Sequence, residues 1–280
     1  VTTTITGHGG TRLALRTAGP VGAPALVLLH GWAQSSAVWR RLLADPGLTE
    51  RYRLLAPDLR GHGESEAPDG GYDDPAAWAG DLAAVLEHAS GPAVVLGWSY
   101  GGLVIADYLR VRGDAALAGI VLVGAVTEIG PDRPGGATGP VLTTGLREML
   151  SPDDEVARPA LREFIAGGTA VPLPQDEQDR QLGTALATPA AVRKAVFKRD
   201  IGSAEALSKV TVPTLVLHGD SDEVVLPVAG RYAADTVPGA AASWYPGCGH
   251  APFLERPADF DVELAHFLTR CHVEHGKMGL

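Results

Sequence analysis

Leu96-Gly97-Trp98-Ser99-Tyr100-Gly101-Gly102 has the pattern G-x-S-x-G. The run that leads into it, Ala93-Val94-Val95-Leu96, is apolar throughout, which predicts a strand buried on both faces. The run that follows, Leu103 to Val111, predicts a helix. A strand that feeds straight into a helix needs a sharp turn, and the residue at its apex is held in a strained conformation. Small residues two before and two after the apex relieve the crowding; Gly97 and Gly101 supply them. Such a turn lifts the Ser99 hydroxyl above the carboxyl edge of a sheet. There the helix dipole and its free N–H groups favour developing negative charge. Ser99 is therefore the expected nucleophile.

Further buried strands are predicted on either side of this turn. They are Ala25–Leu29, Tyr52–Ala56 (stopped by Pro57), Gly119–Val123 and Pro213–Leu217, with a shorter one at Ala242–Tyr245. A weaker pair precedes them, around Thr2–Thr6 and Arg12–Thr17, with Gly9-Gly10 at the turn. Helices are predicted over Pro75–Ala89, Val228–Thr236 and Pro257–Arg270. Buried strands alternating with helices specify an α/β class: a mostly parallel central sheet flanked by helices. From about residue 127 to residue 206 the alternation stops. Pro/Gly-rich loops alternate there with short helical runs at Leu142–Leu150, Pro159–Ala166, Gln175–Leu186 and Pro189–Lys198. An insertion at the carboxyl end of such a strand sits over the crevice where ligands bind. It is expected to be a helical cap, residues 127–206, on a core of residues 1–126 and 207–280.

A serine hydroxyl needs a base beside it. The chain has nine histidines. His8, His62, His88 and His266 read as surface or helix positions. His30 and His218 end strands, and His272 and His275 lie in a polar tail. His250, in Gly247-Cys248-Gly249-His250-Ala251-Pro252 after the last strand, stands where the base is expected. The residue that orients the imidazole should follow the Pro213–Leu217 strand, where Asp220, Asp222 and Glu223 lie. Asp222 is the choice, with Asp220 read as bracing its own turn through a local side-chain-to-backbone bond. Glu128, just past the Gly119–Val123 strand, stays open as an alternative. An oxyanion hole needs two backbone N–H donors. Tyr100, next after the nucleophile, and Trp32, in His30-Gly31-Trp32, are the expected pair. Trp98 is a further residue expected to line the pocket.

Together these residues resemble the α/β-hydrolase family, over about Arg12 to Arg270 apart from the cap. The shared motifs are His30-Gly31-Trp32, Asp58-Leu59-Arg60-Gly61-His62-Gly63-Glu64-Ser65, the turn at Ser99, the Asp222 loop and Gly249-His250. The order Ser, Asp, His along the chain is that family's order. Within it the chain resembles the bacterial esterase, lactonase and non-haem chloroperoxidase-like (perhydrolase) branch. The resemblance implies no metal and no organic cofactor. It implies a serine hydrolase that acts on a small carboxylic ester or lactone through an acyl-enzyme. A transacylase or cyclase, a carbon–carbon bond hydrolase, and a slow or non-catalytic ligand receptor share the same residues and remain alternatives.

Composition narrows the partners. The formal net charge of −10 argues against nucleic acid and anionic membranes. No apolar run approaches a membrane span. Two cysteines, Cys248 and Cys271, make no disulfide framework, and no secretory signal opens the sequence, so a cytoplasmic protein is expected. The oligomeric state is not encoded in any pattern found.

Overall fold

Eight strands form one sheet. They are β1 (Thr2–Thr6), β2 (Arg12–Ala18), β3 (Ala25–Leu29), β4 (Arg53–Pro57), β5 (Ala93–Trp98), β6 (Leu117–Val123), β7 (Thr214–Gly219) and β8 (Ala241–Tyr245). The structure, a computed structural model, describes residues 1–278, with side chains to residue 271. The spatial order is β1-β2-β4-β3-β5-β6-β7-β8. β1 and β2 are antiparallel to their neighbours, and every pair from β4 to β8 is parallel. Each strand expected from the sequence is present within two residues at either end. Pro57 does not precede a stop but is itself the last residue of β4, opposite Leu15.

The apolar runs are continuous because both faces of the sheet are covered. In β3, Val27 and Leu29 join one core layer while Leu26 and Leu28 join the other. The same split divides Val95 from Val94 and Leu96 in β5. The helices, in chain order, begin with α1 (Arg40–Leu43), α2 (Pro46–Thr49), α3 (Pro75–Leu86) and α4 (Tyr100–Arg112). Then come α5 (Pro140–Thr143), α6 (Leu146–Met149), α7 (Asp154–Gly167), α8 (Gln175–Ala187), α9 (Ala190–Ala195) and α10 (Ala204–Ser208). The last are α11 (Pro227–Thr236), α12 (Pro252–Glu255) and α13 (Pro257–Met278). α3 and α4 cover one face with Trp78, Leu82, Leu103 and Val104. α13 covers the other with Phe260, Leu264, Phe267 and Leu268.

Several boundaries differ from the expectation. α4 starts at Tyr100, three residues before the predicted Leu103, because Gly101 and Gly102 belong to its first turn. The predicted run Leu142–Leu150 is two short helices, broken at Gly145, which has φ 76°. α7 begins at Asp154, ahead of Pro159, because the Asp153 carboxylate caps it by accepting from the Glu155 N–H at 3.0 Å. α13 runs past Arg270 to Met278. The side chains of His272 and His275 lie outside the described residues, as do Gly279 and Leu280.

The insertion between β6 and β7 consists of α5 to α10, with α10 spanning the expected boundary at residue 206. Its exit is fixed to the sheet domain by a buried ion pair. Arg199 Nη2 donates to both carboxylate oxygens of Asp107 in α4, at 2.8 Å each. Among the described residues, no helix is long and apolar enough to cross a membrane.

Candidate active site

Ser99 joins β5 to α4 with φ 54° and ψ −120°, a left-handed φ in a non-glycine residue. The surrounding backbone fixes it there. Its N–H donates to Val123 O at 3.0 Å, and its carbonyl accepts from Gly102 N–H at 3.0 Å and Val126 N–H at 3.1 Å. The two glycines are required by contact. A Cβ at Gly97 would lie 2.6 Å from the Gly101 carbonyl, and one at Gly101 would lie 2.7 Å from Leu29 O. Tyr100 opens α4, so its backbone N–H is one of the helix's free donors.

Trp32 follows β3 through His30 and Gly31, and Gly31 lies close enough that a Cβ there would sit 3.0 Å from Ser99 Cβ. His30 holds this loop. Its Nε2 accepts from Leu59 N–H at 3.0 Å, so its Nδ1 carries the hydrogen and donates to Gly31 O at 2.8 Å. Burial pushes the His30 imidazole below its ordinary value. Burial, with His30 beside it, pushes His62 down to about 3. His62 is therefore not a surface residue, as its polar neighbourhood in the sequence suggested; it is 1% exposed and its ring packs on His30.

His250 and Asp222 meet at the far end of the sheet. Asp222 lies in the turn after β7, and its Oδ2 accepts from His250 Nδ1 at 2.8 Å. Its Oδ1 accepts from the N–H groups of Val224 at 2.9 Å and Val225 at 3.0 Å. Burial alone would raise the Asp222 carboxyl, but His250 and His218 beside it hold it well below the usual carboxylate range. The His250 backbone is tied on both sides. Its N–H donates to Gly168 O at 2.8 Å, and its carbonyl accepts from Trp98 Nε1 at 2.9 Å.

The other two acids are placed elsewhere. Glu128 touches neither histidine. Its buried carboxylate accepts from Gly135 N–H at 3.0 Å, Ser203 N–H at 2.8 Å and Tyr232 OH at 2.8 Å, which ties together the entry and exit of the insertion. Asp220 does not brace its own turn through a local backbone bond. Its Oδ1 accepts from Gly247 N–H at 2.8 Å and Ser221 OH at 2.9 Å, so it clips the Asp222 loop to the loop that carries His250.

Ser99, His250, Trp32, Tyr100 and Trp98 all line one cavity of about 220 Å³ between the sheet and the insertion. Its remaining wall is largely apolar, with Leu142, Leu146, Phe164, Phe197 and Val225 prominent. Among the described lining residues there is no lysine or arginine, and Glu128 is the one carboxylate. The side chains of Trp32 and Tyr100 reach the insertion. Trp32 Nε1 donates to Arg193 O at 3.0 Å, and Arg199 Nη1 donates to Tyr100 OH at 3.3 Å. Sequence reading placed His218 only as a strand end; in the structure it touches Asp222, with Nε2 3.2 Å from Oδ2. Its signal, the HisxxxAsp spacing across a strand end, carries no meaning until the turn folds it back.

Comparison with known proteins places the chain in a family. A model of the alpha/beta hydrolase family matches residues 26–261. The solved structure of the esterase RhEst1 from Rhodococcus sp. ECU1013 superposes with a TM-score of 0.90 at 43% identity, covering 96% of this chain and 98% of that one. A pimeloyl-[acyl-carrier protein] methyl ester esterase of Aromatoleum aromaticum is 32% identical over 85% of this chain and 96% of its own length. A bifunctional esterase/perhydrolase of Acinetobacter calcoaceticus is 30% identical over 94% of this chain and 98% of its own. The chain belongs to the alpha/beta hydrolase family, among relatives that are ester hydrolases.

Proposed function

We propose that this protein hydrolyses a small, uncharged carboxylic ester or lactone through an acyl-enzyme on Ser99. The observation that carries the reading is the His250–Asp222 pair, at 2.8 Å, bordering the same cavity as a serine held at φ 54°. In this reading His250 Nε2 takes the proton as Ser99 Oγ attacks the ester carbonyl. Asp222, fixed by two backbone N–H groups, holds the Nδ1–H tautomer and stabilises the imidazolium. The N–H groups of Trp32 and Tyr100 receive the oxyanion, at the positive end of α4. His250 then protonates the leaving alcohol, water attacks the acyl carbon with His250 as base, and the acid leaves.

The substrate class follows from the wall. A cavity of about 220 Å³ without lysine or arginine offers nothing to neutralise a carboxylate or phosphate on the substrate. An apolar acyl group of modest length suits it. We take residues 127–206, which hold α5 to α9 and the start of α10, as the cap that closes this cavity. Among the described residues no disulfide joins the two buried cysteines Cys248 and Cys271, which suits a reducing compartment.

The test is hydrolysis of a chain-length series of p-nitrophenyl esters and of small lactones, with Ser99→Ala in parallel. Turnover by the parent that Ser99→Ala lacks supports the reading. A folded parent inert toward every member would overturn it in favour of a carbon acid, another acyl acceptor or a non-catalytic ligand.

A further inference from the structure

Asp222 has two histidines, not one. His250 Nδ1 lies 2.8 Å from Oδ2, and His218 Nε2 lies 3.2 Å from the same oxygen. His218 Nε2 also lies 2.9 Å from Val225 O. A carbonyl oxygen can only accept, so His218 Nε2 carries the hydrogen and donates it to Val225 O, with Asp222 Oδ2 beside this N–H at 3.2 Å. The other ring nitrogen, Nδ1, is buried with no partner among the described residues. Gly230 of α11 leaves just enough room for it, since a Cβ there would fall 2.5 Å from Nδ1. The ring is held between this glycine and Trp244 of β8, 6.0 Å centroid to centroid. The tautomer and orientation of His218 are thus set by its surroundings before any substrate arrives.

We propose that His218 is a positioning residue for the reaction. Its polarised N–H lies beside the Oδ2 atom that also receives His250, and so limits how much negative charge Asp222 directs at His250. The inference rests on the reading of Asp222 and His250 as orienting acid and base. The mechanism given above does not need it, because the Val224 and Val225 N–H groups already fix Oδ1. What they leave undetermined is the charge on Oδ2. A polarised N–H beside that oxygen offsets part of its negative charge and so weakens its attraction for an imidazolium at His250. Other ionisable groups around the pair do not supply this effect. The Cys248 thiol is pushed up to about 12 by burial and stays protonated. Glu255 of α12 accepts from the N–H groups of Gly249 and Ala251, on the backbone side of the loop. Arg231 of α11 stacks on Trp244, its Cζ 5.1 Å from the ring centre.

The experiment is the pH profile of kcat/KM on a p-nitrophenyl ester for the parent, His218→Leu and His218→Gln. Leucine fills the space without a donor. Glutamine can place an amide N–H where Nε2 stood. The midpoint of the acid limb does not depend on how much of a variant is folded, so partial loss of yield leaves the readout intact. In His218→Leu the acid limb should move to higher pH by on the order of half a unit, and His218→Gln should restore it. An acid limb that stays in place or moves down in His218→Leu overturns the proposal. His250→Ala and Ser99→Ala are measured beside them. Their inactivity with an unmoved limb in His218→Leu would remove His218 alone; retained activity in either would remove the underlying mechanism.

Discussion

Trp98 donates its indole N–H to the backbone carbonyl of His250 at 2.9 Å, and its ring lies 5.4 Å from the imidazole. The residue before the proposed nucleophile therefore holds the loop that carries the proposed base, across 152 positions of sequence. Trp98→Phe keeps an aromatic ring at this position and removes the donor together with part of the indole's packing. kcat/KM for a good ester should fall by about 5- to 10-fold, the effect of one hydrogen bond worth about 1 kcal/mol. Steady-state kinetics and a thermal melt on the same sample check that the loss is in the site rather than in the fold.

Asp222 and Glu128 make opposite predictions as orienting acid. Asp222→Asn should cost on the order of 10⁴ in kcat, because the amide no longer fixes the Nδ1–H tautomer of His250. Glu128→Gln removes one acceptor from a carboxylate with three donors and should lower the melting temperature while leaving kcat within about tenfold. A larger loss of kcat in Glu128→Gln than in Asp222→Asn would reverse the assignment.

Gly97→Ala should destabilise by about 1–3 kcal/mol, because its Cβ meets backbone atoms of Gly101 that cannot move without shifting Ser99. Gly70→Ala is the control, since nothing lies within 4 Å of a Cβ there. Chemical denaturation of the two variants reads the difference directly.

Breaking the Arg199–Asp107 pair from one side should be expensive. Both side chains are at most 1% exposed, so Arg199→Met leaves a buried carboxylate without its partner and should cost about 3–5 kcal/mol. Arg199→Met with Asp107→Leu should recover much of that loss. If the double variant is no more stable than Arg199→Met alone, the pair is not the source of the cost.

Stability should begin to fall on acidification well above the range where carboxylates titrate. His62 is held at about 3 in the folded chain, against about 6.5 when unfolded. Between these values the unfolded state binds a proton that the folded state refuses, so stability present above pH 6.5 is lost as pH falls toward 3. His62 alone contributes a slope of about 1.4 kcal/mol per pH unit over most of that window. His30 is shifted in the same direction. Asp222, held low, adds its own loss only below the ordinary carboxylate range. Urea midpoints from pH 7 to pH 5 should show the slope, and His62→Gln should flatten it.

The strands were legible in the sequence because burial on both faces forces an unbroken apolar run, as in Ala25–Leu29 and Ala93–Leu96. The turn at Ser99 was legible because only glycine fits two positions either side of it. The insertion was legible as an interruption of the strand–helix rhythm, but its helix ends were not. Gly145 and the Asp153 cap decide those, and both act over a single turn that apolar periodicity does not register. His62 misled because its neighbours are polar; it is buried with its ring against His30 and its Nδ1 bonded to Arg60 O.

By itself the sequence determined the class of fold, the serine at the apex of the β5–α4 turn, and the chain order of serine, aspartate and histidine. Those depend on local patterns of size and polarity. Tertiary structure alone decided which acid touches His250, since Asp220, Asp222 and Glu128 all carry a carboxylate and differ in what the folded loops bring to them. It also decided that the described residues of the cavity wall include no lysine or arginine and that a second histidine lies beside Asp222. Contacts of this kind join residues far apart in the chain, and hydrogen bonds select among chemically similar side chains only once the backbone has set their distances.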